Sequence, residues 1–564
     1  MMSARNAWLR RRRLPLSIVL GMMALPAFGQ STTQSPQALA APSLPQNNQA
    51  PALPPPQSLP AAPPVTDSQL SFVLRDVVFS GASVFSPQQL RSEIAEHLGK
   101  PVTLADLDQV AQRITAMYRQ HGYVFATAVV PVQQVKDGVV QVSIIEGRLG
   151  QIHLQVSPGA PIDEQRVRAM LAPLVPGQPL NGQTYERTML LISDIPGIKA
   201  ESALSSGADP GTTDLTVKIS RGHPLNVSLG IDNYGTREAG TLRGGGSVRW
   251  NSPLGYGDNL DARALISERG GTAFGRVSYE APLGYQGIRA GLGATQVDYS
   301  LGGNFAALDA IGRARIYDGS LTFPLIRQRS QNFFLRLAID RKELTDELRA
   351  VHYESHKRVQ GVSVGWAWER RDNFFGGGYF SSNGVLYLGN LRIADPNLRA
   401  LDQGPYGNHT SGDFTKLTFQ FSRLQALTAK QTLFLGIGGQ LANHDLDASE
   451  KLSLGGHDTV RAYPQGEVLA DQGFIANLEY RYALRKDLTT YAFYDVSRGW
   501  LNRSHEATNG RLIRSLRGPG VGLNWAKPGD FAVDLTVAWR DSRAAANSGD
   551  DKKPRVFLQI QKFF

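Results

Sequence analysis

Two short segments carry residue types that enzymes use, but neither has the required spacing or setting. Gly361-Val362-Ser363-Val364-Gly365 matches the G-x-S-x-G pattern of serine hydrolases, yet a nucleophile elbow needs a turn between a strand and a helix. This match lies within a predicted strand, so we interpret it as chance. His352 and His356 are four residues apart, but Glu354 between them is misplaced for a zinc-binding H-E-x-x-H motif, and the segment lies in a predicted loop. We therefore predict no enzyme, no cofactor and no metal site.

A third segment places a charge among apolar residues. Val460, Arg461, Ala462 and Tyr463 follow one another in a long connection of about residues 442–472. The plain interpretation is a solvated surface loop. An arginine between a valine and an aromatic residue is nevertheless unusual for a loop fully exposed to water. Its role depends on the elements that hold it, and these follow from the rest of the chain.

The composition excludes several classes of protein. The 564 residues contain no Cys, so disulfides, thiolate metal sites and cysteine nucleophiles are absent from the chain. The formal charge is +10, which by itself would suggest an anionic partner such as nucleic acid.

The charge has a simpler source at the N-terminus. Arg5 and Arg10–Arg13 precede the apolar stretch Leu14–Leu25 and the small-residue site Ala27-Phe28-Gly29, which is the pattern of a secretory signal peptide over residues 1–29. Removing these five arginines leaves 54 basic and 49 acidic residues, a net charge of +5. We therefore predict no nucleic-acid partner.

Composition divides the remaining chain into parts. Residues 30–66 contain ten Pro and no charged residue, which predicts an extended linker. Residues 1–221 hold 14 Gly and 9 aromatic residues, whereas residues 222–564 hold 44 Gly and 39 aromatic residues. Such a change predicts two different architectures that meet near residue 222.

Two small α/β domains are predicted before this boundary. In residues 67–149, Ser86-Pro87 and Thr103 to Asp106 are helix-start signals, and β-rich runs occur over 72–79, 123–132 and 139–145. Residues 150–221 repeat the order strand, helix, helix, strand, strand. Neither domain has a catalytic cluster, so we interpret both as binding modules.

The last part reads as a membrane barrel. Segments from residue 222 onward alternate apolar and polar residues, as in Phe333-Leu335-Leu337-Ile339 against Arg336 and Asp340. A soluble β-sandwich also alternates, but segments of about ten residues with full charges on the polar face favour membrane strands with a wet lumen. Because lipid cannot satisfy an open sheet edge, the strands must close. We predict a transmembrane β-barrel of about 16 antiparallel strands over 222–564.

The arrangement over residues 72–564 resembles the two-partner secretion transporters, the outer-membrane exporters of filamentous haemagglutinins and haemolysins within the assembly-factor superfamily. The resemblance implies two POTRA domains, at 67–149 and 150–221, before a 16-stranded barrel. Val460–Tyr463 resembles the family's V-R-G-[YF] motif on a loop that folds into the lumen, with Ala462 in place of Gly and with Gly456 and Gly466 in the flanks. Phe493-Tyr494-Asp495-Val496-Ser497 resembles its [FG]-x-D-x-G motif, with Ser497 in place of the last Gly. The resemblance implies that Arg461 pairs with Asp495 inside the barrel.

The resemblance also implies a function. The chain would sit in the outer membrane of a Gram-negative bacterium with its POTRA domains in the periplasm. It would bind a large exoprotein with an N-terminal secretion domain (an adhesin, a haemolysin or a contact-dependent toxin) and export it through the barrel. Outer-membrane lipid and the barrel-assembly machinery would be further partners. An outer-membrane assembly or insertion factor is the alternative, and a passive porin-like channel is a weaker one.

Overall fold

The structure is a computed structural model that describes residues 71–405, 407–503, 513–541, 545–548 and 551–564. The predicted signal peptide and the predicted linker lie outside these described residues. None of the described helices is long and apolar enough to cross a bilayer.

The first domain is a three-stranded sheet covered by two capped helices. Its elements are β1 (Phe72–Val73), β2 (Asp76–Ser80), α1 (Pro87–Glu93), β3 (Pro101–Val102), α2 (Leu104–Gln120), β4 (Thr127–Val129) and β5 (Val139–Ile145). Ser86 and Thr103 cap the two helices, each in a capping box. The sheet order is β2-β5-β4, with β2 parallel to β5 and β4 antiparallel to it. Leu107, Val110 and Ile114 of α2 are buried against this sheet, at the spacing of one helical face.

Two predicted strands of this domain are shorter than expected. The predicted strand over 72–79 is divided, because Leu74 turns away to bond Lys100 and only β2 continues into the main sheet. The predicted strand over 123–132 is reduced to β4, since Tyr123 begins a turn and packs edge-on against Phe85. In both places, tertiary packing overrides local strand propensity.

Glu146, which directly follows β5 at the end of the first domain, has a buried side chain. Glu146 accepts hydrogen bonds from the N–H groups of Ser83 and Val84, at 2.6 and 2.9 Å, and from the Tyr118 hydroxyl at 2.9 Å. Burial acts to raise the pKa of Glu146, but these hydrogen bonds outweigh it and hold the pKa below its usual range. The carboxylate therefore fastens the loop at Ser83 to the end of the domain.

The second domain has the same topology as the first. Its elements are β6 (Arg148–Val156), α3 (Glu164–Leu171), α4 (Gly182–Ser193), β7 (Ile198–Ser206) and β8 (Thr212–Arg221). The sheet order is β6-β8-β7, with β6 parallel to β8 and β7 antiparallel to it. The edge positions and strand directions thus correspond one to one between the two domains.

A closed antiparallel barrel of sixteen strands follows in the described residues, which confirms the predicted fold class. Its strands are β9 (Leu225–Asp232), β10 (Arg243–Asn251), β11 (Asn259–Ser267), β12 (Thr272–Leu283), β13 (Ile288–Leu301), β14 (Ala310–Arg327), β15 (Gln331–Leu348), β16 (Tyr353–Asp372), β17 (Gly378–Ile393), β18 (Gly412–Ala426), β19 (Gln431–Ala442), β22 (Gln472–Arg485), β23 (Leu488–Trp500), β24 (Ile513–Lys527), β25 (Phe531–Ala538) and β26 (Arg555–Phe563). Two further strands, β20 (Leu452–Leu454) and β21 (Val468–Ala470), form a small hairpin inside the connection between β19 and β22. Strand β26 pairs with β9 and closes the barrel.

Two local expectations need correction. The segment from His352 to His356 is not a loop, because strand β16 already begins at Tyr353 and only His352 stays in the turn, with φ of 53°. A short helix, α5 (Pro396–Asp402), lies between β17 and β18, within the part of the chain predicted to consist of barrel strands. Asp395 caps it, with Pro396 in its first turn. Both are sequence signals for a helix start.

The second domain is fastened to the rim of the barrel nearest to it, which we call the proximal rim. Arg327 at the end of β14 donates two hydrogen bonds of 2.7 Å to the carboxylate of Asp194, the C-cap residue of α4. Arg187 of α4 donates to the carbonyl of Pro324 at 2.8 Å. Helix α4 also packs closely on the next turn, since a Cβ on Gly287 would lie 2.5 Å from a methyl group of Leu191. These contacts hold the domain beneath the turns that join β10 to β15.

Candidate functional site: the lumenal loop

The connection from Ala442 to Gln472 folds back into the barrel. Its hairpin β20–β21 and the segment Val460–Tyr463 form a buried cluster with Phe493, Leu516 and Ala538 of the barrel wall. Val460 and Tyr463 are fully buried, and Arg461 is 6% exposed. The plain interpretation as a solvated loop is therefore wrong, since the apolar residues of the loop pack against the wall.

Arg461 and Asp495 are in contact, as the resemblance implies. The Arg461 Nε and Nη2 atoms donate to the two carboxylate oxygens of Asp495 at 2.9 and 2.8 Å, and the Arg461 backbone N–H donates to the same carboxylate at 3.0 Å. Asp495 lies on the inward face of β23 and is fully buried, while its neighbour Tyr494 is 37% exposed on the opposite face. This bidentate geometry fixes the position of the guanidinium as well as its charge.

A second carboxylate completes the arrangement. Arg461 Nη1 lies 2.7 Å from a carboxylate oxygen of Glu479 on β22, and Arg481 binds the other oxygen of Glu479 at 2.6 Å. The guanidinium carbon of Arg461 also lies 3.4 Å from the ring centroid of Phe493. We call Arg461, Asp495 and Glu479 the arginine anchor. With Arg481 it has two positive and two negative charges, so the buried charges are balanced.

Asn477 links the anchor to the loop backbone. Its side-chain amide donates to Asp495 at 2.7 Å and to the carbonyl of Thr459 at 2.7 Å. One face of β22 thus supplies Asn477, Glu479 and Arg481 at every second position. The alternation that puts these three residues on one face is visible in the sequence, whereas their loop partners are not.

The remaining predicted residues shape the loop. Gly456 and Gly466 have φ of 108° and 71°, values in the left-handed region that favours glycine. Ala462 does not have a positive φ, so this position does not require the glycine of the family motif. A Cβ on Gly518 would lie 2.5 Å from the Ala462 Cβ, so the alanine fits against a glycine of the wall. Ser497, the other departure from the motif, is buried.

The start of the loop has a second set of ion pairs that sequence reasoning missed. Glu450 is fully buried and lies between two lysines of the wall, 2.7 Å from Lys342 Nζ on β15 and 2.8 Å from Lys416 Nζ on β18. Asp447 pairs with Lys357 of β16 at 2.8 Å. We call these contacts of Glu450 and Asp447 the lysine anchor. Its only sequence signal is the presence of lysines on the polar faces of strands.

The tip of the loop reaches the place where the last barrel strand, β26, pairs with the first, β9. His457 stacks on Tyr234, just beyond β9, with ring centroids 4.0 Å apart, and packs edge-on against Phe557 of β26. Its Nε2 atom lies 3.5 Å from Asp534 on β25. The loop therefore contacts the wall on three sides, through the two anchors and through His457.

Both enzyme-like motifs belong to barrel strand β16, apart from His352 in the turn before it. Gly361–Gly365 lies within β16, far from any strand–turn–helix setting. Within the described ranges, no group of three or more His, Asp or Glu residues is arranged to hold a metal ion. These segments contribute to the wall of the barrel.

The fold and the loop define a class of protein. A closed antiparallel barrel with an even number of strands, an apolar outer band and a charged lumen is the architecture of bacterial outer-membrane proteins. Residues 211–525 match the haemolysin secretion/activation protein family ShlB/FhaC/HecB, and residues 72–147 match the POTRA domain of ShlB type. Because the first match covers more than half of the chain, the protein belongs to the ShlB/FhaC/HecB family. It is a two-partner secretion transporter of the outer membrane.

Individual relatives agree with this placement. The chain is 27% identical over 458 residues to the heme/hemopexin transporter protein HuxB of Haemophilus influenzae, covering 80% of each chain. It is 24% identical over 496 residues to the outer membrane transporter CdiB of Escherichia coli, covering 83% of this chain and 82% of the relative. The solved structure of CdiB from Escherichia coli superposes with a TM-score of 0.72 at 22% identity, over 91% of this chain and 94% of that one. This likeness concerns the fold.

Proposed function

We propose that the protein exports a large exoprotein through its barrel, and that the two α/β domains bind this exoprotein in the periplasm as two POTRA domains. The observation that carries the export step is the loop itself. It fills part of the lumen and is held there by the arginine anchor, the lysine anchor and His457. A polypeptide that crosses the lumen must displace this loop. The anchors therefore set the position of the loop before a polypeptide enters.

The domains supply suitable binding edges. Strands β4 and β7 lie at the edges of their sheets. An edge strand presents unpaired N–H and C=O groups to which an unfolded chain adds as a further strand. Main-chain hydrogen bonds place little demand on sequence, which suits a long unfolded substrate. Relatives of the chain include a heme/hemopexin transporter and a hemolysin transporter. Adhesins, haemolysins and contact-dependent toxins are accordingly the classes of exoprotein to test.

Crosslinking the loop to the wall tests the export step. Deletion of the gene first identifies the exoprotein that disappears from the culture medium. Cysteines are then placed at His457 and Tyr234, whose rings are stacked 4.0 Å apart, in a chain that has no other cysteine. A short bifunctional methanethiosulfonate crosslinker, which forms a reducible disulfide with each cysteine and releases sulfinate, is expected to stop secretion in the double variant, and a reductant is expected to restore it. Each single cysteine variant, treated in the same way, is the matched control.

The outcomes separate the proposed function from its alternative. Undiminished secretion from a fully crosslinked double variant would contradict passage through the lumen past the loop. An assembly factor predicts a different result of the deletion, namely depletion of other outer-membrane barrels while the medium stays unchanged. Arg461→Ala and Asp495→Ala complement the test, because both variants should alter secretion while the barrel still assembles.

A further inference from the structure

Two patches on the outer surface of the barrel have the same arrangement at the proximal rim. In the first, Arg370, Phe380 and Arg423 are directly opposite one another across β16, β17 and β18. We call this the β16–β18 patch. Asp372 binds Arg423, with one contact of 2.9 Å, and Trp368 packs edge-on against Phe380 with centroids 5.3 Å apart. The patch has two cations, one carboxylate and an aromatic pair.

The second patch repeats this pattern with lysines. Lys527, Phe531 and Lys562 are directly opposite one another across β24, β25 and β26. We call this the β24–β26 patch. Asp530 binds both lysines, with Lys527 Nζ at 3.0 Å. Trp525 packs edge-on against Phe531 with centroids 4.8 Å apart. Two cations again flank a phenylalanine. Asp530 leaves a net charge of +1, since the other carboxylate at this patch, Asp487, which accepts from Trp525 Nε1 at 3.0 Å, is paired with Arg485.

Strand alternation places both patches on the lipid-facing side. Arg370 has the same parity as Val362 and Val364 of β16, which are 50% and 44% exposed, whereas Val359 of opposite parity is fully buried. In the same way, Lys562 shares the parity of Ile560 on β26, which is 40% exposed. The outward apolar residues form the hydrocarbon-facing band, and the patches lie at its edge.

This position suits one chemical class of ligand. The edge of the hydrocarbon band is the level of the lipid headgroups, where aromatic residues of barrels are enriched. A phosphate between two cations would neutralise the net positive charge, and the acyl chains would lie along the apolar band above it. A pair made only to hold a turn would need one cation for each carboxylate, and both patches have a second one.

We propose that each patch binds the headgroup phosphate of an anionic phospholipid in the membrane leaflet that faces the α/β domains. The choice of leaflet rests on the proposed placement of those domains in the periplasm. The binding itself does not depend on the export function, so lipid binding and secretion are tested separately.

Native mass spectrometry of the full-length protein with added phosphatidylglycerol tests this site. Wild type is expected to retain two phosphatidylglycerol molecules. Arg370→Gln and Lys527→Gln are expected to weaken one site each by about fivefold, the effect of one cation near an anionic membrane surface. The Arg370→Gln/Lys527→Gln double variant is expected to weaken both sites. Arg358→Gln is the matched control, because Arg358 is exposed on the same face of β16 at the other end of the strand.

Two further binding measurements identify the ligand, one with phosphatidylcholine and one with inorganic phosphate. Phosphatidylcholine is expected to bind more weakly than phosphatidylglycerol, and inorganic phosphate is expected not to displace the lipid. Arg370→Lys should retain binding, and an unchanged heat-induced shift in gel mobility should show that each variant is folded. The proposal is overturned if the double variant binds phosphatidylglycerol as well as Arg358→Gln does, if phosphatidylcholine binds equally well, or if inorganic phosphate replaces the lipid.

Discussion

At the scale of single residues, buried charges hold the loop in addition to its apolar contacts with the wall. Asp495 accepts hydrogen bonds from the backbone N–H of Arg461, from two guanidinium nitrogens and from Asn477. A carboxylate with this many donors loses much when one oxygen becomes an amide nitrogen, because a donor then faces other donors. Buried ion pairs add little to net stability, but breaking one by removing a single partner is costly. Such contacts suit a loop that needs a defined position and must still be able to leave it.

The first prediction compares the two carboxylates of the arginine anchor. Asp495→Asn is expected to weaken loop docking by about 3–5 kcal/mol, since it leaves Arg461 short of its main partner. Glu479→Gln is expected to cost less, because Arg461 keeps its bidentate contact with Asp495. Hydrogen exchange of residues 456–466 in the full-length protein measures both. Equal protection of these amides in the two variants would contradict the ranking.

The second prediction concerns pH and Glu146. The pKa of this carboxyl is lowered in the folded state, so its contribution to stability is complete above the ordinary glutamate pKa of about 4.3 and is lost as the pH falls through the lower, folded-state value. Glu146→Gln is therefore expected to reduce amide protection at Ser83 and Val84 by a constant factor from pH 7 to pH 5. The difference from wild type should shrink only at more acidic pH. A difference that already vanishes near pH 6 would contradict the sign of the shift.

At the scale of elements, the contact between α4 and the proximal rim is the joint that orients the second domain. Arg327 is 6% exposed and its guanidinium also donates to Asn332 at 2.8 Å, so the arginine is fixed in place before it binds Asp194. The preorganised guanidinium then needs little further ordering to hold the helix end. We infer a fixed angle between this domain and the barrel.

The third prediction measures this joint with a double-mutant cycle. Arg327→Gln and Asp194→Asn are expected to show a coupling energy of about 1.5–3 kcal/mol, typical of hydrogen bonds to charged groups. The exposed pair Arg168 and Glu164 on α3 is the matched control and is expected to give at most about 0.5 kcal/mol. Hydrogen exchange of α4 provides the readout. A coupling no larger than that of the control would show that the joint does not depend on this ion pair.

The sequence predicted the elements better than it predicted their contacts. Strand alternation indicated the barrel strands, and it placed Asp495, Asn477 and Glu479 on the polar side because a period of two is set by the backbone itself. Pairing between Arg461 and Asp495 followed from the family resemblance. Glu450 and His457 were missed, since the path of a loop without periodicity depends on packing against distant strands. The short helix α5 was missed despite its cap at Asp395.

At the scale of the whole molecule, the pairing of β26 with β9 closes the barrel, and it is the shortest strand pairing in the barrel wall. Strands β26 and β9 are in register over five residue pairs, from Gln559 with Asp232 to Phe563 with Ser228. Beyond Asp232 the backbone N–H of Asn233 still donates to the carbonyl of Leu558 at 3.2 Å, and the side chain of Asn233 adds two further hydrogen bonds to β26. It accepts from the N–H of Leu558 at 2.9 Å and donates to the carbonyl of Val556 at 3.1 Å.

The fourth prediction tests these two side-chain hydrogen bonds. Asn233→Ala is expected to destabilise closure by about 1–3 kcal/mol, because two backbone groups of β26 lose their partner. Hydrogen exchange of β26 and the temperature of heat-induced gel mobility change measure the effect. Asn226→Ala, at the other end of β9, is the control. Unchanged exchange at Leu558 in Asn233→Ala would contradict the assigned role.

Because the second domain is attached to one arc of the proximal rim, it covers only one side of the barrel opening. Helix α4 and its neighbours cover the turns between β10 and β15, whereas the turns at residues 427–430, 486–487 and 528–530 belong to the other arc of the rim. Under the proposed export function, a polypeptide handed over by the domains enters along this open arc. Strands β22 and β23, which carry Glu479 and Asp495, belong to this arc. The direction of approach thus delivers the substrate to the carboxylates that hold Arg461, where an incoming basic segment would compete with the loop for the same oxygens.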